Sequence, residues 1–527
     1  MTTPRKILIV GGGTAGWLTA CYLARVLGGD PGEASPIEVT VLESADIGII
    51  GVGEGTFPTI RTTLNVLGID EATFLRETTA TYKQGIRFVD WLETPQDGRH
   101  SEYLHPFDAP YSDGPDLLPY WLLQDRASRP PFAEAVTFQP AVAGADRAPK
   151  RPYEGNFSGP LNFAYHFDAV KFAHLLESHS RQLGVRHLTG TLGEVVLAAD
   201  GSVSHVVSPE HGVLEADLFV DCTGFRAELI GKAMGVPLKS VTPYLFTDRA
   251  VTCHVPYPAP KSPIPSYTVA TAHEAGWTWD IGLSGRRGVG YVYSSAHSSD
   301  ERAVEILRGY TGDTKGELPT RVIKFEPGYR DTQWVKNCVA IGLSAGFFEP
   351  LEATGIMMIE VAAGMLAEFF PFAGPTDASA ERFNTLMRLR CEKIVNFLKL
   401  HYCLTRRDEP FWRDNRAEDS VPSELRDLLR VWRNRPPSRF DFVTDVETFA
   451  YFSYQYILYG MDFDTDMSPA RGVYSHEATA HKIFERIRGF GEHAVKDLPS
   501  HRDLVEQIYA RGFIESHDRR SGANKRA

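Results

Sequence analysis

The six cysteines, Cys21, Cys222, Cys253, Cys338, Cys391 and Cys403, are scattered, and no two form a C-x-x-C pair. That withdraws support from a zinc site or a dithiol centre and fits a reducing compartment, where thiols serve as small buried hydrophobes. No run reaches the ~20 apolar residues a membrane span needs. The opening Arg5 and Lys6 lead into a short apolar run that Gly11, Gly12 and Gly13 interrupt at once, so no signal peptide is read. Basic residues never gather into a long run, and with a net charge of −12 this argues against a nucleic-acid binder. Internal repeats and low-complexity segments are missing as well. These absences leave the expectation of a soluble, cytoplasmic protein. At 527 residues and 43% apolar content, two or three structural units with a substantial core are expected.

What is present is organised early in the chain. "KILIV" reads as a short buried strand, "AGWLTACYLARVLGG" as a helix closed by Gly28 and Gly29, and "IEVTVLE" as a second strand ending at Glu43. This order is the βαβ unit that makes a glycine motif meaningful. Gly11, Gly13 and Gly16 match G-x-G-x-x-G, whose glycines permit the turn, the close approach of a pyrophosphate and the packing of helix on strand. The phosphates would sit at the positive end of the helix, with Thr14 and Ala15 in its first turn, and Glu43 could accept from a ribose hydroxyl. The pattern does not tell FAD from NAD.

Further on, "FPTIRTTLNVLGI" carries Ile60, Leu64 and Leu67 at helical spacing, and Gly68 stops it. From Glu93 to Tyr153, proline, aspartate and aromatics suggest long irregular excursions. "GVLEADLFVDCTGF" returns to a buried strand, and "NCVAIG" is another, so strands from three distant segments are expected to meet in one sheet. A helix begins near Thr354, with Ile356, Ile359, Ala363, Leu366 and Phe370 on one face. Its first N–H groups make a ready anion site at Thr354 and Gly355. From the period alone, an ordinary helix start with Thr354 as N-cap is the plainer reading. After Pro371 the reading is mainly helical, and the tail "SHDRRSGANKRA" is polar and without period, so disorder is expected there.

Seven motifs in order, "GGGTAGW", "GVGEGT", "YKQGIRFVDW", "AYHFDA", "DCTGF", "WTWDIGL" and "PLEATGI", span most of the chain. Through them the sequence resembles the flavin-dependent halogenases of the tryptophan-halogenase family. The resemblance implies an α/β, FAD-binding Rossmann-like domain of flavin-monooxygenase type with a mainly helical C-terminal region. That places an FAD-binding, halide-oxidising core with interleaved substrate-site segments at 1–371, a substrate-covering region at 372–515 and a tail at 516–527. It implies FAD bound as FADH2 at the glycine turn, with Gly53 and Gly342 joining it, and delivered by a separate flavin reductase. No second nicotinamide fingerprint appears, in keeping with such a partner.

With O2, a bromide or chloride ion held by the Thr354 and Gly355 backbone would become hypohalous acid and pass inside the protein to Lys83. Lysine has an ordinary pKa near ~10.4; an apolar pocket favours its neutral amine, and a neighbouring carboxylate its cation. Haloamine and hydrogen-bonded acid therefore both stay open for Lys83, with Glu352 positioning the oxidant or taking the ring proton. Trp277 and Trp279 mark the class by separating substrate from flavin. Two positions depart from the family: Gly282 stands where proline is usual, and Ala353 where serine is. No metal is implied, nor any contact with membrane or nucleic acid, and a homodimer is an open alternative.

In relatives that act on free tryptophan, a histidine and an aromatic sandwich the indole; "HPF" offers His105 and Phe107, and Phe449 stands near a family tryptophan. Where the polar clamp for the amino-acid group belongs, the sequence has Pro437, Ser438 and Thr444, so an indole-type or other electron-rich aromatic is expected in preference to free tryptophan. The alternatives are a flavin-dependent aromatic hydroxylase, or a flavin-binding protein without catalysis.

Overall fold

The apolar strand Lys6–Val10 lies between two parallel neighbours, Leu218–Asp221 on one side and Glu38–Glu43 on the other. A strand covered on both faces reads as a continuous apolar run, which is why KILIV shows no alternation. The computed structural model describes residues 6–28, 37–45, 53–372, 376–443 and 446–514. Gly29, Gly51, Thr444 and the tail from 516 lie outside the described residues.

Two compact units are interleaved along the chain. One collects Met1–Ile69, Asp168–Asp248 and Lys324–Val395; the other collects Asp70–Phe167, Arg249–Ile323 and Asn396–Ala527. The division differs from the contiguous one expected at 371/372. Strands from the segments beginning at Asp70 and at Arg249 share a sheet, and the helix Thr376–Cys403 contributes residues to both units. Beyond Pro371 the described chain is helical, as expected, including Tyr451–Gly460, Glu477–Asp497 and His501–Arg511.

In the first unit the six-stranded sheet runs Trp334–Val335, Cys338–Ala340, Leu218–Asp221, Lys6–Val10, Glu38–Glu43, Arg186–Thr189. The three distant segments do meet, and all pairs are parallel except Trp334–Val335 with Cys338–Ala340. Helices Thr14–Leu27, Ala169–Gln182 and Thr354–Glu368 belong to this unit, the first in contact with both of the others. Helix Ile60–Leu67 ends, as its sequence predicts, at Gly68 with φ +79°.

The second unit is built on a mostly antiparallel sheet in which Arg249–Pro256, Arg286–Tyr293, Gly276–Gly282, Thr268–His273, Gly85–Val89 and Glu102–Pro106 are successive neighbours. Only the Thr268–His273 and Gly85–Val89 pair is parallel within this run. Helix Asp300–Thr311 seals one face by burying Ala303 and Leu307 against Val251, Val289 and Tyr291. The stretch from Glu93 to Tyr153 is more ordered than its composition suggests. It holds the strand Glu102–Pro106 and short helices at Leu117–Leu122, Phe132–Val136 and Gln139–Gly144. Buried Trp121 and Phe132, packed edge to face at 5.1 Å, supply the apolar anchor that the proline-rich sequence concealed.

Candidate active site

In the first unit the glycine turn is shaped by close approach. Gly11 has φ +113°, and a Cβ there would lie 2.2 Å from the Cys222 carbonyl oxygen. At Gly16 it would lie 1.8 Å from the Gly11 carbonyl oxygen, so only hydrogen lets the helix pack on the strand. Gly13 is different: a Cβ would meet nothing within 4 Å. Gly13 is also the N-cap of helix Thr14–Leu27 and carries no capping side chain. An uncapped N-terminus with open room in front of it is what a pyrophosphate requires. Thr14 and Ala15 form the first turn; Gly342, at φ +78°, brings its backbone so near that a Cβ would sit 2.6 Å from the Ala15 Cβ. Asp221 closes the neighbouring strand and is spent on structure, accepting from Thr223 N, Leu229 N and Ile230 N at 2.8–3.0 Å. Gly53 opens the short strand Gly53–Gly55 and is buried.

Glu43 ends its strand as expected, but with company the sequence did not announce. His187 Nε2 lies 3.1 Å from one Glu43 oxygen, and His187 Nδ1 lies 3.3 Å from Glu177. The imidazole stands edge-on to Trp17 at 4.9 Å. Burial pushes the Glu43 carboxyl up; His187 and a hydrogen bond from Trp17 pull it back, while the Glu177 charge adds to the rise. No local pattern in "VRHLT" marks His187, because its partners come from another strand and a helix.

The anion turn also differs in detail from its prediction. The N-cap of helix Thr354–Glu368 is Ala353, left-handed at φ +55°, ψ +39°, and Thr354 is the first helical residue. The preceding turn Pro350–Glu352, closed by Ala353 N–H to Pro350 O at 3.1 Å, forces this geometry. No side chain caps the helix. Gly355 is exposed and a Cβ there would meet nothing within 4 Å, so an anion can come close to this end. Glu352 is buried at the end of the turn.

In the second unit the sequence offered Lys83 no protection, yet it is 1% exposed. It sits in the three-residue strand Thr81–Lys83, paired antiparallel with Ala164–Asp168. Side chains alternate, so Thr81 and Lys83 share a face with Ala164 and His166, while Tyr82 and Tyr165 take the other. Behind that second face lies a buried ion pair: Lys150 Nζ is 2.8 Å from Glu71, both fully buried. Tyr165 Oη and Phe157 N also donate to Glu71, at 2.9 and 2.6 Å. His501 Nε2 accepts from Tyr82 N at 2.9 Å, and its Nδ1–H donates to Ile264 O at 2.8 Å. Burial holds His501 near 4, so this bridge is neutral. The strand is thus held from behind.

His105, within the stretch expected to be irregular, lies in the strand Glu102–Pro106 and is buried. Phe107 N donates to Gln84 O at 3.0 Å, which brings the ring under the Lys83 ammonium, 5.3 Å from its centroid. That is within cation–π range. Phe449 stacks on Phe397 at 3.7 Å and 17°, and Phe397 in turn stands 6.0 Å from His105. Phe449 therefore backs the aromatic cluster through Phe397. Ser438 accepts from Phe440 N as the cap of the short turn Arg439–Asp441, and Pro437 O accepts from Gln455.

Trp277 and Trp279 occupy alternate positions of strand Gly276–Gly282 with centroids 6.3 Å apart. Gly290 lies opposite Trp279, and a Cβ there would strike the indole at 2.2 Å. At Gly282 a Cβ would lie 2.8 Å from Ile264, and its carbonyl accepts from the Thr81 hydroxyl at 2.5 Å. The hydroxyl-to-carbonyl bond ties the tryptophan strand to the lysine strand, and a proline would keep that carbonyl while its Cβ would crowd Ile264. Among the described residues no group of three or more His, Cys, Asp or Glu could hold a metal. No described helix is long and apolar enough to cross a membrane.

A glycine turn open to a dinucleotide on a parallel sheet, and in the second unit a lysine sequestered among aromatics, mark a nucleotide-binding protein with a buried lysine site. The family model for tryptophan halogenase matches residues 6–473. Tryptophan 6-halogenase SttH of Streptomyces toxytricini is 36% identical over 526 residues, 94% of this chain and 97% of that protein. A tryptophan halogenase structure from Shewanella frigidimarina superposes with a TM-score of 0.92 at 39% identity, covering 97% of this chain and 98% of that one. BrvH, a flavin-dependent halogenase from Brevundimonas sp. BAL3, gives a TM-score of 0.84 at 33% identity, covering 96% and 99%. The chain belongs to the tryptophan halogenase family. It is an enzyme, a flavin-dependent halogenase that uses FADH2, O2 and halide on an aromatic small molecule.

Proposed function

We propose that the enzyme halogenates an indole or similarly electron-rich aromatic in preference to free tryptophan, with bromide at least as good a halide as chloride. The observation that carries this reading is the Lys83 side chain, sequestered from water with its Nζ 5.3 Å from the Phe107 ring centroid. A cation so placed holds a small oxidant by hydrogen bond, or reacts with it as the amine, next to a flat apolar ring. Where the amino-acid clamp belongs, Ser438 caps a local turn and the Pro437 carbonyl accepts from Gln455 of helix Tyr451–Gly460. A zwitterion there would lose its hydration without gaining partners, which costs a few kcal/mol.

Bound reduced FAD, with O2, supplies the oxidising equivalent that turns halide into hypohalous acid. The chain's own part begins with the Gly11–Gly16 turn, which holds the cofactor phosphates, and Gly53 and Gly342, which border it. Glu43 accepts from the ribose, and the Thr354 and Gly355 backbone holds the halide. Trp277 and Trp279 keep the aromatic substrate away from the flavin. Lys83 presents electrophilic halogen, and Glu352 orients the oxidant or takes the ring proton. His105 and Phe107 hold the substrate ring, with Phe449 supporting them from behind. A separate flavin reductase supplies the cofactor, and the cytoplasm suits that partner.

The test supplies FADH2, O2, bromide and either indole or tryptophan, and reads products by mass spectrometry. Brominated indole exceeding brominated tryptophan in kcat/KM is expected, and Lys83→Ala abolishes both while flavin oxidation continues. Hydroxylated product would favour the monooxygenase reading instead. Tryptophan turned over as efficiently as indole, or halogenation retained without Lys83, overturns the proposal.

A further inference from the structure

His166 belongs to the motif "AYHFDA", which the proposed chemistry leaves without a task. It is fully buried in strand Ala164–Asp168, directly opposite Thr81 and diagonal to Lys83. Diagonal neighbours across an antiparallel pair are ~7–8 Å apart at their backbones, within reach of a long side chain. Its Nε2 lies 2.8 Å from Thr268 Oγ1. Its Nδ1 is buried and has no hydrogen-bond partner. Buried ring nitrogens are seldom left so, and one that is points to a ligand taking up the place.

Three groups surround this imidazole with consequences for its charge: Lys83 on the facing strand, His501 from the C-terminal helix, and the neutral hydroxyl of Thr268. Burial is the main reason its pKa stands well below the ordinary value; the charge of Lys83 adds to it, and His501 adds only when that ring is itself protonated. A neutral imidazole that gives its Nε2–H to Thr268 Oγ1 presents a lone pair at Nδ1.

We infer that His166 Nδ1 is a second anchor for the small hydroxylic molecule held at Lys83, water at rest and hypohalous acid in turnover, accepting its O–H. The inference rests on the Lys83 reading and deepens it. One hydrogen bond from Lys83 fixes the oxygen but leaves the molecule free to turn about that bond. A second bond, from the O–H to Nδ1, removes that freedom and leaves the halogen end pointing away from both nitrogens. His166 would then be a catalytic residue by contact with the oxidant, and Thr268 the positioning residue that selects its tautomer.

Three substitutions separate this role from a structural one. Asparagine carries a polar atom near the Nδ1 position and loses the Thr268 contact; glutamine reaches Thr268 from near the Nε2 position and leaves Nδ1 empty; phenylalanine keeps only the shape. His166→Asn is expected to hold kcat for bromination of indole within about threefold of the parent. His166→Gln and His166→Phe are expected to lose on the order of tenfold or more, one hydrogen bond's worth. KM for indole should not change in any of them. In the two weak variants, a phenol added as a trap should collect a larger share of the oxidant, because hypohalous acid escapes unused. Activity kept by glutamine and lost by asparagine overturns the inference in favour of a scaffold contact to Thr268. Equal loss in all three, or full activity in the phenylalanine variant, overturns it too. Failure of the underlying reading shows differently: the parent protein would then brominate indole equally well as Lys83→Ala.

Discussion

Removing the Lys150 cation should destabilise the unit that carries Lys83 without touching any reacting group. In Lys150→Met the Glu71 carboxylate stays fully buried and loses its ion-pair partner at 2.8 Å. Tyr165 Oη and Phe157 N still donate to it, so it is not stripped bare, but two neutral donors do not cancel a charge. Lys150 also donates to Gly155 O at 2.7 Å, a bond lost with the ammonium. Breaking one side of a buried pair costs about 3–5 kcal/mol. For a unit of this size that corresponds to a fall on the order of 10 °C in Tm. Replacing both members, Lys150→Met with Glu71→Gln, removes the stranded charge, and the double variant should recover to within about 1–2 kcal/mol of the parent. The assay is thermal unfolding of the parent, both single variants and the double variant, with bromination of indole measured well below the transition. Because Tyr82 and Tyr165 form the face of the lysine strand and its partner that turns toward this pair, activity should fall in the single variant and return with the double. A Tm within 2 °C of the parent in Lys150→Met, or effects that simply add in the double variant, would refute the claim that this pair is desolvated and coupled.

Gly13→Ala should leave the Tm of the cofactor-free protein unchanged, since nothing meets its Cβ, yet weaken FAD binding measured by flavin fluorescence; Gly11→Ala should lower Tm itself, because its Cβ would strike the Cys222 carbonyl at 2.2 Å. Equal effects of the two on Tm would argue against the open room in front of Gly13. Gly290→Ala puts a Cβ 2.2 Å from the Trp279 ring. It should cost about 1–3 kcal/mol and change the intrinsic tryptophan emission; an unshifted spectrum and Tm would show that the strand gives way. Burial pushes the Glu360 carboxyl up to about 7, against hydrogen bonds from Thr63 and Thr59. An unfolded glutamate releases its proton near ~4.3, so the folded state binds more protons between there and 7. Stability therefore falls as pH rises through that window and stays lower above it. Glu360→Gln should recover roughly 3 kcal/mol at pH 8 and little at pH 4; a gain that does not vary with pH in thermal unfolding would refute this.

The readable parts of the chain are those whose cause is local. The Lys6–Val10 strand, the helix ending at Gly28 and the stop at Gly68 follow from apolar period and, at left-handed Gly68, from glycine conformation within a dozen residues. The meeting of three distant strands could also be foreseen, since buried runs of that kind have few other ways to satisfy their backbones. Misplacements arose where a neighbour far away in sequence decides. His105 is in a strand because Gly85–Val89 pairs with it. Thr354 is displaced from the cap because Pro350–Glu352 forces Ala353 into the left-handed region, against its propensity. The order within 93–153 rests on aromatic packing that a proline-rich composition hides.

Charge compensation was the least legible of all, and the reason is physical. A lysine in "TYKQG" has no local feature separating it from a surface lysine, because burial is decided by what covers it. Here the cover comes from the strand Ala164–Asp168 and from Phe107, held to the Gln84 carbonyl. Glu71 and Lys150 are 79 residues apart, and His187 meets Glu43 and Glu177 from separate elements. Each of these groups is costly to bury alone and tolerable only once its distant partner has arrived. A residue covered or paired from so far away leaves no trace in its own neighbourhood, and Lys83, 1% exposed, belongs to that kind.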